Sequence, residues 1–307
     1  MSKQYPVVLF VFKRPSTTKI FLDLIALASI EKIYIFADGP RDREEEVLTS
    51  QVKNITQQFA SSHKSIQMIT KFSDHNIGLK NTFIDGLNSV FQKETAAIIL
   101  EDDCLPTPDF FKFTASMLTK YYDQPKVMSI AGTSIGSFNH NSYDFSRYQL
   151  CWGWATWARA WKLYDPHMKL MGSPVWKNRI FKITKFPHMR WYWNMMLSIV
   201  KSGWLNTWDY QWAYSLFISD GLAIIPKCNL VSNIGFDKAA TNTLVKSNVS
   251  NMATSSLKWP LTHPKEVIDN SKLSESIEHY FYNNPIAILG MLRQYFYWKR
   301  SQYAHRY

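Results

Sequence analysis

Ala96-Ala97-Ile98-Ile99-Leu100-Glu101-Asp102-Asp103 is the stretch on which the reading of this 307-residue chain turns. Five apolar residues in a row fit a strand buried on both faces, as in a parallel sheet covered by helices. The run passes without a break into three carboxylates, which repel one another unless something neutralises them. A buried strand that delivers three acids to its carboxyl end places charged chemistry at one edge of a sheet.

The preceding residues repeat the pattern. Residues 7–12 (VVLFVF) read as a first buried strand, and a helix is expected over 17–29, with Ile20, Leu24 and Leu27 at helical spacing behind Pro15. Lys32–Ala37 is a second strand, stopped by the turn signal Asp38-Gly39-Pro40. An amphipathic helix follows over 43–61, then a strand over 66–70, a helix near 80–92 and the strand 96–100. Strands separated by helix-length segments predict an α/β fold with a mostly parallel sheet. Ligands of such sheets sit beyond the carboxyl ends of the strands. Lys13-Arg14, Asp38 and the acids 101–103 each follow a strand, so all are expected on one edge.

After about residue 127 the texture changes. Residues 152–161 hold four tryptophans and residues 204–212 three more. Residues 257–307 show no strand pattern and read as a helical tail. No long linker or repeat separates these parts, which fits one catalytic unit carrying an appendage.

Composition excludes several classes. Apolar residues make up 46% and charged residues 19%, so the chain is neither disordered nor fibrous. The three cysteines, Cys104, Cys151 and Cys228, are widely spaced and form no CxxC or His-Cys cluster, which leaves a structural zinc site without ligands and a disulfide framework without support. No apolar run approaches the ~20 residues that cross a bilayer, and no cleavable signal pattern precedes residue 7, so a cytoplasmic location is expected, with the inner face of the cell membrane as the alternative.

Net charge is +11, and residues 158–190 carry eight basic side chains against one acid, Asp165. Such clustering points to an anionic partner, whether phosphate, nucleic acid or a membrane surface. Residues 285–307 mix apolar and basic side chains in a composition suited either to a helix in a membrane interface or to one packed on the domain.

The acidic triplet suits a divalent cation, since hard carboxylate ligands hold Mg²⁺ or Mn²⁺ that bridge to phosphate oxygens. Strand alternation sends Glu101 and Asp103 to one side and Asp102 to the other. The competing reading is a solvated acidic turn ahead of a helix.

Ile98-Ile99-Leu100-Glu101-Asp102-Asp103 followed by Pro108-Asp109-Phe110-Phe111 resembles the metal-site region of the N-acetylglucosaminyltransferase I family and its bacterial sugar-transferase relatives. The resemblance spans about residues 5–245 in short, ordered motifs. It implies a GT-A fold, that is, a nucleotide-diphospho-sugar transferase with a Rossmann-like mixed sheet, in a catalytic domain 1–250. A donor-binding half, 1–125, would be joined to an acceptor-side half, 126–250, with a helical C-terminal tail over 251–307.

By the same resemblance Asp103 would hold the metal. The donor would meet Arg14 after the first strand, Asp38 after the second, Lys80 at a helix start, Glu101, Asp102, and Lys238 in a loop closing over the donor. Gly153-Trp154-Ala155-Thr156 resembles a stretch lining the acceptor side, and Trp208-Asp209-Tyr210-Gln211-Trp212 the segment that carries the catalytic base, with Asp209 as that base and Trp154 and Trp208 beside the acceptor. The chain departs from the family at two points: Lys80 stands where the family has a histidine, and Asp209 is followed by Tyr210 rather than a second aspartate, with Asp220 the next acid along.

The implied activity is inverting, metal-dependent transfer of a sugar from a nucleotide-sugar donor, with UDP favoured, to a glycan or lipid-linked oligosaccharide of surface polysaccharide biosynthesis. Peripheral contact with an anionic membrane would accompany it, and nucleic acid would not be a partner. A sugar nucleotidyltransferase is the first alternative, although Phe12-Lys13-Arg14-Pro15-Ser16 is not a glycine-rich phosphate loop. A basic nucleic-acid-binding protein is the second, and the acidic triplet argues against it. Trp154, Trp157 and Trp161 could also form one buried helix face, a reading stronger for Trp157 and Trp161, whereas Trp154 is expected in the cleft.

Overall fold

The computed structural model of the protein describes residues 4–28, 30–136, 140–235 and 252–304. In chain order the first third forms β1 (Val7–Val11), α1 (Pro15–Leu27), β2 (Lys32–Ala37), α2 (Arg43–Ser62), β3 (Gln67–Phe72), α3 (Leu79–Phe91) and β4 (Ala96–Glu101). These are the elements that the apolar runs and turn signals predict. β3 extends two residues past its expected end because it pairs with β2 as far as Ala37 opposite Phe72.

The chain continues through β5 (Cys104–Pro106), α4 (Pro108–Lys120), β6 (Val127–Ala131), β7 (Tyr143–Ser146), β8 (Trp154–Trp157) and α5 (Ala158–Trp161). Next come α6 (Pro174–Ile183), α7 (Pro187–Lys201), α8 (Asp209–Ile218), β9 (Leu222–Pro226), β10 (Val231–Asn233), α9 (Ser271–Ile277), a π-turn over Glu278–Tyr282, and α10 (Pro285–Ala304).

Eight strands form one mixed sheet in the order β3-β2-β1-β4-β8-β6-β9-β7, and β10 pairs with β5 in a separate ribbon. β1 lies parallel to both β2 and β4, while β8 runs antiparallel between β4 and β6. Strands from the two halves of the sequence thus share one sheet. In register, Val11 stands opposite Ala37 and Phe10 opposite Glu101, so β1, β2 and β4 end level with one another. That alignment gathers the residues after each strand at one edge.

Both faces of the sheet are covered. Val8, Phe10 and Ile99 point into one apolar core, and Val7, Leu9, Val11, Ile98 and Leu100 into the other. This is why strands 1 and 4 read as unbroken apolar runs. The tryptophan-rich segment corrects the helical reading: Trp154–Trp157 is a strand, and an odd spacing of three sends its two tryptophans to opposite faces. Trp154 enters the first core with Trp161, and Trp157 the second.

Residues 252–304 pack onto this frame. Asp109 accepts from the Leu257 N–H (2.9 Å) and the Trp259 indole (3.2 Å). Leu273 and Ile277 are buried in the first core, and Tyr148 donates to Glu278 at 2.8 Å. α10 sets Ile288, Met291, Leu292 and Tyr295 against that core at i, i+3, i+4 and i+7, and leaves Leu289, Phe296 and Tyr297 exposed. Among the described residues no helix is long and apolar enough to cross a membrane.

Candidate functional site

A cleft of about 660 Å³ opens at the edge where β1, β2 and β4 end. Its walls include Phe12, Lys13, Arg14, Asp38, Arg41, Thr82, Glu101, Asp102, Asp103, Cys151, Trp152, Asn206, Asp209 and Gly235. A wider cavity of about 1230 Å³ lies between β9, α9 and the α6–α7 turn. Its acids, Glu275 and Glu278, are engaged with Lys185 and Tyr148, whereas the smaller cleft gathers carboxylates from separate segments.

The acidic triplet turns three ways. Asp102 folds back and accepts the Phe12 N–H at 3.0 Å, tying the end of β4 to the end of β1. Arg14, at the start of α1, reaches both neighbours, 3.4 Å from Asp102 Oδ1 and 3.1 Å from Asp103 Oδ2. Glu101, the last residue of β4, lines the cleft with them. Burial, reinforced by Asp103, Asp102 and Asp209 and opposed by Arg14, holds the Glu101 carboxyl well above the ordinary range. Burial with the Asp103 charge likewise raises Asp102 to about 7, against Arg14 and the Phe12 N–H. One guanidinium is not enough for these acids.

That deficit is what a bound cation would correct. Among the described residues no three His, Cys, Asp or Glu side chains are arranged to hold a metal ion by themselves. Asp103, assisted by Glu101, fits a Mg²⁺ or Mn²⁺ that takes its remaining ligands from water and phosphate oxygens, as such ions commonly do.

Two further cations on the cleft wall are already held. Glu45 accepts Lys13 Nζ at 2.9 Å and the Arg41 backbone N–H at 3.0 Å, and its carboxylate is forked by the Arg41 guanidinium. Hydrogen bonding to Arg41, outweighing the burial that opposes it, lowers the Glu45 carboxyl to about 2. Asp42 caps α2 and Glu45 stands three residues later, so a capping pattern was visible in the sequence although its role at the cleft was not.

Asp38 stands on the cleft wall, and its carboxylate accepts three backbone N–H groups, from Gly39 (2.9 Å), Ile77 (2.8 Å) and Gly78 (2.9 Å). Asn76 donates to the Gly39 carbonyl at 2.8 Å, and a Cβ at Gly39 would fall 2.3 Å from the His75 backbone. The two loops are stitched together, which sets the N-terminus of α3 at the cleft. Lys80, one residue into that helix, is not among the cleft-lining side chains; Gly78, Leu79 and Thr82 are. Thr82 Oγ1 is buried without a hydrogen-bond partner among the described residues, and nothing in the sequence signalled Thr82 as part of the cleft.

Asp209 enters the same cleft from α8, of which it is the first residue. A column of rings fixes it: Phe10 stacks on Phe83 (4.1 Å), Phe83 on Trp208 (3.8 Å) and Trp208 on Trp154 (5.4 Å). Thr207 donates to the Asp209 carboxylate. Burial raises the Asp209 carboxyl, and the Thr207 hydroxyl with the backbone N–H groups of Tyr210 and Asp209 partly offsets this. Asp220, the alternative acid, is committed to Arg179 at 2.8 Å.

The same column corrects the cleft position expected of Trp154, which is 1% exposed and does not line the cleft. Trp208, 2% exposed and stacked in the same column, does line it. Trp152, half-buried, is the tryptophan of residues 152–161 that lines the cleft. Lys238 lies outside the described residues, as do all of 236–251; Gly235, just ahead of them, packs on Asp103.

No family model matches the sequence, and no curated protein matches it. Solved structures similar to it include the mannosyltransferase PcManGT from Pyrobaculum calidifontis in complex with GDP-Man and Mn²⁺ (10% identity, 71% of this chain and 69% of that one, TM-score 0.39). An apo UDP-glucose pyrophosphorylase aligns at 9% identity over 73% of this chain and 90% of its own, TM-score 0.40. A 4-diphosphocytidyl-2C-methyl-D-erythritol synthase from Anaerococcus prevotii aligns at 9% over 56% and 77%, TM-score 0.35. At these scores the likeness says nothing of chemistry, which is read from the chain's own residues.

Proposed function

We propose that the protein is a metal-assisted, inverting glycosyltransferase that moves a sugar from a nucleotide-sugar donor, UDP-linked by preference, to a hydroxyl of a glycan or lipid-linked oligosaccharide. The observation that carries this reading is the convergence of Glu101 at the end of β4, Asp102 and Asp103 just after it, and Asp209 from α8 on one cleft, with Arg14 paired to Asp102 and Asp103. Acids on one wall suit a cation and a diphosphate. A separately held acid on another suits a base for the acceptor.

The roles follow from what each group touches. Asp103, with Glu101 beside it, would hold Mn²⁺ or Mg²⁺, and Arg14 would turn from the carboxylates to the diphosphate as charge builds there. A metal held there would supply Lewis-acid neutralisation of the leaving diphosphate. Asp38 and Gly39 keep the α3 start in place for the nucleoside end of the donor. Asp209 takes the proton of the acceptor hydroxyl as its oxygen attacks the anomeric carbon and the bond to the diphosphate breaks, so the configuration inverts. A base whose pKa is raised toward working pH is suited to that task, and such help is worth ~10²–10⁴-fold. The catalytic unit would be residues 1–250, with 251–307 buttressing it.

A nucleotidyltransferase would need backbone N–H groups around a triphosphate after β1; here Arg14 and Pro15 begin α1 directly and Arg14 is turned to the acids. Two assays separate the readings. Nucleotide sugars with Mn²⁺ and a panel of acceptor glycosides should release nucleoside diphosphate only when an acceptor is present. Pyrophosphate release from a nucleoside triphosphate and a sugar 1-phosphate would overturn the transferase in favour of the alternative.

A further inference from the structure

The hairpin of α6 and α7 is charged on one sign only. Residues 174–201 contain Lys177, Arg179, Lys182, Lys185, Arg190 and Lys201, and no Asp or Glu. Arg179 is paired with Asp220, Lys185 with Glu275, and Lys201 donates to the Met168 carbonyl. Lys177 and Lys182 are exposed and have no ion pair among the described residues.

The same surface shows large apolar groups that the core did not take. Val175 is 49% exposed, Phe181 65% and Trp191 55%. The inward faces of both helices are separately filled, by Trp176, Ile180 and Ile183 on α6 and by Met189, Tyr192, Trp193 and Met196 on α7. The outward groups are therefore surplus to packing. They are also contiguous with the charge: the Arg190 guanidinium lies 4.4 Å from the centre of the Phe181 ring, and Lys182 follows Phe181 in sequence.

We infer that this face docks the protein on an anionic lipid bilayer, with Phe181 and Trp191 entering the headgroup boundary and Lys177, Lys182 and Arg190 over the lipid phosphates. Exposed aromatics beside unpaired lysines, on two helices that carry no acid of their own, fit an interfacial surface better than a solvated helix face. Phosphate alone would explain the lysines but not Val175 and the two aromatic rings. The placement also bears on the transferase reading, on which this clause alone rests. Met196, on the inward face of α7, lines the cleft, and Trp191 lies five residues before it on the outward face, roughly 8 Å along the helix axis, so one helix joins the docking face to the cleft.

The test is co-sedimentation of the full chain with vesicles of phosphatidylcholine alone and of phosphatidylcholine mixed with phosphatidylglycerol. It is run on the wild type, on Phe181→Ser/Trp191→Ser and on Lys177→Glu/Lys182→Glu, with a single-stranded oligonucleotide as competitor. The wild type should pellet with the mixed vesicles only, and each double variant should lower the bound fraction on the order of tenfold. All four positions are exposed, so the variants should melt with the wild type, and their response to nucleotide should be unchanged. That second readout separates a failure here from a failure of the transferase reading. Equal binding to neutral vesicles, no pelleting, full binding by either variant, or displacement by the oligonucleotide would overturn the inference.

Discussion

Gly235 lies against the Asp103 carboxylate so closely that a Cβ on it would fall 2.1 Å from Oδ2. The contact is made by the ribbon in which β10 pairs with β5, with the Ile234 N–H donating to the Asp103 carbonyl at 2.8 Å. The backbone of the later segment therefore forms one wall around the acid that would hold the metal. Gly235→Ala should push that carboxylate aside. The expected result is a drop of tenfold or more in Mn²⁺-dependent nucleotide affinity, on the order of 1.4 kcal/mol or more, measured by titration calorimetry, while the melting temperature without ligand changes little.

Asp209 is held above the ordinary carboxylate range by burial, with Thr207 restraining the shift. Since the base must be ionised, activity should rise with pH through that raised value and flatten above it. Thr207→Val removes a hydrogen bond to the charged form, so the rising limb should move to higher pH. Asp209→Asn should cost ~10²–10⁴-fold in kcat with nucleotide affinity intact. A kcat/KM profile that does not move in Thr207→Val, or full activity in Asp209→Asn, would remove Asp209 from its role.

Glu45 ties Lys13 and Arg41 together at the cleft rim, and its carboxyl is lowered from 4.5 to about 2. A depressed folded-state pKa gives stability that is present above the unfolded value and is lost as pH falls through the folded one. The contribution should thus be whole above about pH 5 and disappear between about pH 4 and 2, with a size on the order of 2–3 kcal/mol. Urea denaturation of the wild type and Glu45→Gln across that range should show two curves that converge at the acid end.

Trp154 tests whether the aromatic column is a scaffold. At 1% exposure, with Trp208 stacked on it, Trp154→Ala should destabilise the fold by about 3–5 kcal/mol. Trp152→Ala, at the half-buried cleft wall, should leave stability within about 1 kcal/mol and instead raise the KM for the acceptor. The reverse pattern in chemical denaturation and kinetics would restore Trp154 to the acceptor side.

How much of this was legible in the sequence depends on the range of the interaction. The strands ending in Val11, Ala37 and Glu101 announce themselves because burial on both faces demands apolar runs, and their shared edge follows from parallel pairing. Asp209 is singled out only by the resemblance of residues 208–212 to a sugar-transferase segment, since an acid at a helix start is by itself an ordinary cap. Trp154 could not be placed, because a four-residue aromatic run fits a strand and a helix equally well and only pairing with Ile99 and Ala131 decides. Asp38 reads as a turn aspartate either way; its commitment to N–H groups of residues 77 and 78 is a contact between distant loops. Thr82 and Asn206, which meet the cleft from different segments, carry no local signal at all.

The central claim is that a nucleoside diphosphate and a divalent cation bind together at the carboxylates of β4. The most direct measurement is a thermal-shift panel of UDP, GDP, CDP and dTDP, each with and without Mn²⁺, on the wild type and Asp103→Ala. A ligand at about 100 times its dissociation constant stabilises by ~2.7 kcal/mol, an easily read shift. The account predicts a shift with one nucleotide, largest for UDP, that requires Mn²⁺ and vanishes in Asp103→Ala. No shift with any nucleotide, or one of equal size in Asp103→Ala, would contradict it.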